Sequence, residues 1–306
     1  MQYYFLVLLA VIGLAVNFSL TKIYQNHTGT SFRISVLFNI ITGIFTAVVF
    51  FFINGFMNGF SFPFTPFSLL MAVLMTLFCG TYVIIGFKII SMGDIAVYTL
   101  FLMLGGMMLP YFYGLLFLDE PFSALRLIGL LLMVVSIALS GMDKKEGEKK
   151  KSSALFFLLC AIVFCLNGCV SITSKIHQLP ENVDAAVTPQ GFVMLAALVR
   201  VVIFSLVYLF LCLRDRHTSQ ETRPAPVKLT PKVLVIVLAS ALVDGLSYLL
   251  QLIGAAHLPA TVLYPLVTGG CVILTALAGR LLFGEKPGKR ATIGIILCFL
   301  STLFFL

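Results

Sequence analysis

Long apolar runs follow one another along this chain with little between them. Read at helical scale, ten can be marked off, near 3–21, 31–53, 67–90, 94–117, 122–141, 154–174, 189–213, 231–256, 260–283 and 289–306. Each approaches the roughly 20 residues that carry a helix, at about 1.5 Å per residue, across about 30 Å of hydrocarbon. The runs are continuous instead of alternating every second residue, so they predict helices and not the strands of a barrel. The fold class expected is an all-α polytopic membrane protein with ten transmembrane helices. Composition points the same way: 60% of residues are hydrophobic and 10% charged, with a mean hydropathy of +1.09. Water-soluble chains carry roughly 25% charged residues. The first run has no basic stretch before it and no small-x-small site after it, and reads as a span rather than a cleaved leader.

The polar positions repeat. Moved by 165 residues without a gap, Pro66 falls on Pro231, Gly80 on Gly245, Gly105 on Gly270 and Gly114 on Gly279. The register continues through Glu120 on Glu285, Gly129 on Gly294 and Ser136 on Ser301. Near the start of each half, "SLTKIYQ" (Ser19 to Gln25) matches "ITSKIHQ" (Ile172 to Gln178) and puts Lys22 on Lys175. The expected organisation is therefore a first five-helix unit at 1–141, a basic linker at 142–153 and a second five-helix unit at 154–306. Five is odd, so the second unit must enter the membrane in the opposite sense. That is the inverted-repeat plan of secondary transporters, whose substrate site lies between the halves near mid-membrane. The repeated glycines suit close helix packing, for which lipid supplies no hydrophobic drive. Glu120 and Glu285 stand at span ends, where a carboxylate reaches headgroups or caps the N-terminus of the next helix. They read as structural end-markers, not coupling acids.

The net charge of +8 does not call for a nucleic-acid partner. Residues 143–153 and 214–232 hold ten of the twenty Lys and Arg, and both stretches lie between spans. Sixteen basic residues fall in odd-numbered loops, whereas Arg126 and Lys175 are the two in even ones. The positive-inside rule then places odd loops in the cytoplasm and both termini outside, in the cell membrane. Seven cysteines lie inside spans without a Cys-x-x-Cys pair, which suits packing better than disulfides or a metal.

The two halves close on "LDEP", Leu118 to Pro121, and "FGEKP", Phe283 to Pro287, each with a glycine nine residues after the glutamate. With "NFSLTK", Asn17 to Lys22, and "YPLVTGG", Tyr264 to Gly270, the whole chain resembles the EamA-like family of the drug/metabolite transporter superfamily. The resemblance implies a ten-helix carrier that moves small metabolites by alternating access, most often outward. Two features differ from relatives in that superfamily. The first span carries no acidic residue, and the chain has no Trp.

Polar residues inside spans are costly, so their faces are informative. Ser240, Asp244, Ser247, Tyr248 and Gln251 recur at steps of three and four in the eighth span. Tyr264, Thr268, Cys271 and Thr275 do so in the ninth, and Asn167, Ser171, Ser174 and Gln178 in the sixth. Asn17 and Thr21 make a shorter stripe in the first. Small polar residues also serve as hydrogen bonds between helices, which is the plainer account of the Ser, Thr and Cys. Asp244 argues for more. A mid-span carboxylate costs about 2.5 kcal/mol or more unless paired, protonated or wet, and its mate in the register is Cys79. It either pairs with Arg200, the mid-span arginine, or serves a cavity. In the cavity reading, Arg200 clamps a substrate carboxylate, and burial raises the pKa of Asp244 so that it trades a proton for substrate.

The expected substrate and coupling cavity is thus Asp244, Arg200, Tyr248, Gln251, Tyr264, Thr268, Asn17, Asn167 and Ser171. Tyr98, with Tyr248 and Tyr264, would suit an aromatic or amphipathic cargo. Pro265 and Pro110 mark places where a helix is expected to kink or unwind. The function expected is secondary-active transport of small metabolites, amino acids or related compounds, as export with proton coupling or exchange. Its partners are a small-molecule metabolite, the lipid bilayer and protons, in a monomer or loose dimer. The alternatives are a non-transporting scaffold or assembly subunit and a membrane-embedded enzyme. The enzyme is disfavoured: His27, His177, His217 and His257 have no metal-ligand spacing, and no nucleophile elbow or phosphate loop is present. No cofactor or metal is expected.

Overall fold

A computed structural model describes residues 1–92, 95–141, 154–216, 230–284 and 288–306. The basic linker 142–153, Glu285 and the basic residues of 217–229 lie outside the described residues. The first five helices are α1 (Gln2–Thr28), α2 (Phe32–Asn58), α3 (Pro66–Met92), α4 (Ile95–Phe117) and α5 (Ala124–Gly141). The second five are α6 (Ala154–His177), α7 (Pro189–Arg216), α8 (Pro231–His257), α9 (Ala260–Phe283) and α10 (Lys289–Thr302). Eight of them are long and apolar enough to cross a membrane by length and composition. The shorter α5 and α10 pack on each other. This is a multi-pass helical membrane protein.

Local chemistry sets the helix starts. Three begin with Thr-Pro: Thr65 Oγ1 accepts from the Ser68 amide, Thr188 Oγ1 from Gly191 and Thr230 Oγ1 from Val233, at 3.1, 3.3 and 3.4 Å. The threonine satisfies an orphan amide, and the proline that follows has no amide to satisfy. At the other end of α9, Gly284 takes the left-handed conformation, φ 65°, that glycine adopts without steric cost.

Helix pairing crosses between the halves. α1 packs on α8 and α9, and α6 packs on α3 and α4; α2 meets α7, α4 meets α9 and α5 meets α10. Exchanging each helix with the one five places on turns these pairings into one another. The repeated glycines obey the same exchange. A methyl group at Gly105 of α4 would sit 2.0 Å from the Phe164 carbonyl of α6, and one at Gly270 of α9 would sit 2.9 Å from Val11 of α1. On the α5–α10 seam, Ser136 Oγ donates to the Gly294 carbonyl at 2.6 Å, while Gly129 faces the Ser301 carbonyl. On this seam each glycine thus lies beside the serine of the opposite copy, although the Ser301 hydroxyl bonds the Cys298 carbonyl of its own helix.

Loops two, four, six and eight gather at one end. There, Thr188 Oγ1 donates to Asn54 Oδ1 at 3.1 Å, and Ser68 Oγ meets His177 Nε2 at 2.8 Å. His177 is stacked between Phe67 and Phe192, with ring centroids 5.9 and 3.7 Å away. At the opposite end, Lys22 lies over the Phe283 ring and Arg33 over Tyr208, joining the end of α1 to α9 and the start of α2 to α7.

Candidate transport cavity

Inside the bundle lies a cavity of about 430 Å³. Its volume falls within the roughly 300–1,000 Å³ usual for small-molecule sites. Eight of the nine expected residues line it: Asp244, Arg200, Tyr248, Gln251, Tyr264, Thr268, Asn167 and Ser171. The ninth, Asn17, stands behind the wall and holds Asp244 in place.

Arg200 and Asp244 are the charged residues of the lining. Arg200 Nη1 lies 3.5 Å from Asp244 Oδ2, and the two side chains are 28% and 33% exposed. Asp244 is paired with Arg200, and the pair lines the cavity. A tight charge-assisted bond runs to about 2.7–2.9 Å, so this contact is loose. The other carboxylate oxygen is held more firmly. Asn17 Nδ2 donates to Asp244 Oδ1 at 2.9 Å, and Asn17 Oδ1 in turn accepts from Ser240 Oγ. The helical spacing of Ser240 and Asp244, one turn apart on α8, lets Asn17 of α1 bridge them.

The tyrosines have their hydroxyls occupied. Tyr264 donates to the Ser171 carbonyl at 2.5 Å, and Tyr248 meets Ser174 Oγ at 3.0 Å and Met75 Sδ at 3.0 Å. Asn167 Nδ2 and Ser171 Oγ are likewise spent on the Leu102 and Gly106 carbonyls of α4, at 2.7 and 3.1 Å. Thus part of the α6 stripe does bond helix to helix, as the plainer account held, while still forming the cavity wall.

Some expectations are corrected. Tyr98 does not line the cavity; it covers Gly86, whose missing side chain leaves room for its ring, beside Ile89 and Phe156. Tyr82 lines the cavity instead. Neither α9 at Pro265 nor α4 at Pro110 is unwound, since both helices run through. Thr275 bonds the Cys271 carbonyl of its own helix, and Gln178 bonds His177. Asn39, Thr76 and Cys79 join the lining unforeseen. A signal existed, because Thr76, Cys79 and Tyr82 recur at steps of three on α3. Asn39 had one too, since Ser35, Asn39, Thr42 and Thr46 recur at steps of three and four on α2.

Residues 155–306, the second half of the chain, match the model of the EamA-like transporter family. The chain belongs to the EamA-like transporter family. Members of that family are transporters, and this family member is a membrane protein of transporter type. No curated protein matches the chain. A solved crystal structure aligns with 97% of this chain and 95% of its own, at 14% identity and a TM-score of 0.71. At that identity the likeness is one of fold alone.

Proposed function

We propose that this EamA-like protein is a secondary-active carrier of small amphipathic metabolites, amino acids or related compounds, that works by alternating access. The observation that carries the reading is the loose Arg200–Asp244 pair on the wall of an internal cavity. A cargo carboxylate takes the Arg200 fork, and Asp244, released, accepts a proton or a cargo ammonium. The cavity then never holds an uncompensated charge, whose burial would be prohibitive. The tyrosines, with hydroxyls already bonded, offer ring faces to the apolar part of the cargo.

Two five-helix halves of opposite sense supply the moving parts. The 165-residue register and the exchange-symmetric helix pairings support that division, with 1–141 and 154–306 as the units. Export coupled to protons is the direction we assign, in the cell membrane with odd loops cytoplasmic, on the charge bias of those loops. The test is a comparison of metabolite pools inside and outside cells with and without the protein. Cargo should accumulate inside when the protein is missing and outside when it is overproduced. Pools that do not change in either case would overturn the reading.

A further inference from the structure

The turn between α8 and α9 is gripped from both sides by residues of other elements. On one side, Lys175 at the end of α6, 6% exposed, donates from Nζ to the Ala255 and Leu258 carbonyls at 2.7 and 2.8 Å. On the other, the Glu120 carboxylate accepts from the Ala260 and Thr261 amides at 2.6 and 2.9 Å. A cation at the carbonyl end of one helix and an anion at the amide end of the next are the favourable placements for both dipoles. The sequence assigns Glu120 either to headgroups or to the helix that follows it. It serves α9 instead, 140 residues away.

The grip is prepared by backbone. Asp119 adopts φ 51°, a left-handed conformation that aspartate tolerates better than most residues. The chain folds back there, so that the Glu120 amide bonds the Gly114 carbonyl at 3.2 Å. Gly114 leaves space for the carboxylate, since a methyl group at 114 would lie 2.7 Å from Glu120 Oε2. Immediately inward of the turn, Leu252, Ala255 and Leu263 form the end of the cavity and are at most 2% exposed. From there the lining continues through Asp244 toward Asn39, near the start of α2, and Tyr82, just past the middle of α3 toward its C-terminal end. Those ends belong to the odd loops.

We infer that Lys175 and Glu120 form the latch of a gate, which keeps the cavity shut toward the even loops by pinning the α8–α9 turn. The inference rests on the transporter reading. Glu120 comes from the first half and the turn from the second, so the latch lies across the seam that alternating access must open. Opening toward the even loops requires both grips to let go. While they hold, the cavity is reached from the odd-loop end.

Access labelling tests this without knowledge of the cargo. Cys79 lines the cavity, and a full-length chain that keeps it while the other six of the seven cysteines are replaced is placed in vesicles of each orientation. A membrane-impermeant thiol reagent then reports which face reaches Cys79. Labelling should come mainly from the odd-loop face in the parent. In Glu120→Gln, labelling from the even-loop face should rise roughly tenfold, the effect expected when charge-assisted hydrogen bonds that favour one state are weakened. Glu120→Asp, which keeps the charge on a shorter arm, should fall between. Labelling whose sidedness is unchanged in Glu120→Gln, in protein that still melts cooperatively near the parent temperature, would overturn the latch. Uniform labelling in the parent from both faces would overturn it too. A failure of the cargo assignment leaves this readout untouched.

Discussion

Asn17 of α1 donates a hydrogen bond of 2.9 Å to Asp244 of α8, across 227 residues of sequence. The contact fixes the acid of the cavity by one oxygen and leaves the other to the loosely held Arg200. Asp244 is thus a positioned group, with one oxygen fixed by Asn17 and the other shared with Arg200 on the cavity wall.

Replacement of the acid should separate these roles. In inside-out and right-side-out vesicles, Asp244→Asn should lower pH-gradient-driven flux by at least about tenfold, because Arg200 loses its counter-ion and the proton site is gone. Asn preserves the shape and the bond to Asn17 through its amide oxygen. Unchanged gradient-driven flux would remove Asp244 from the coupling step.

The Asn17 tie carries its own prediction. Asn17→Leu leaves the inner carboxylate oxygen and Ser240 without their partner. The expected loss of stability is about 1–3 kcal/mol, the usual cost of a buried polar group left unsatisfied. Thermal unfolding in detergent measures it, and Ser240→Ala, which removes only the outer bond, should cost less.

Glycine positions within one register should respond differently. Gly105→Ala places a methyl group 2.0 Å from a backbone oxygen, which cannot swing away. At Gly80, the first atom met is the Phe204 ring edge at 4.0 Å. Overpacking of this kind costs about 1–3 kcal/mol, so Gly105→Ala should melt lower than parent while Gly80→Ala stays close to it.

The α5–α10 seam offers a milder case. Ser136→Ala removes the 2.6 Å bond to the Gly294 carbonyl. Side-chain hydrogen bonds between membrane helices average about 0.6 kcal/mol, so its melting temperature should fall only slightly. A large fall would mean that the seam depends on this serine far more than its bond explains.

The helices were legible because hydropathy alone sets them. α9 covers the very residues marked from its apolar run, 260–283. The run near 3–21 was marked short because Lys22, Tyr24 and Gln25 end the apolar pattern without ending the helix, which continues to Thr28. Polar stripes found the α8 and α9 walls, where several side chains recur on one face. A like stripe on α2, Ser35, Asn39, Thr42 and Thr46, carried Asn39 as well. Tyr98 belongs to no stripe and is suggested by residue type alone, which says nothing of the direction in which a side chain points. The partner of Glu120 was beyond sequence reasoning for a plain reason: a cap supplied from another half leaves no local spacing to read.

The reciprocal meeting of Gly129 with Ser301 and of Ser136 with Gly294 has a consequence for the origin of such a chain. A contact in which i meets j and j meets i is the isologous contact of a twofold dimer. Each five-helix piece carries the glycine and the serine at matching places, with the cross-seam hydroxyl bond made from Ser136, while the Ser301 hydroxyl turns to Cys298 of its own helix. Two separate copies, set in opposite senses as the proposed inverted repeat requires, would therefore meet along this pair of helices, and joining them end to end adds a tether without a new interface.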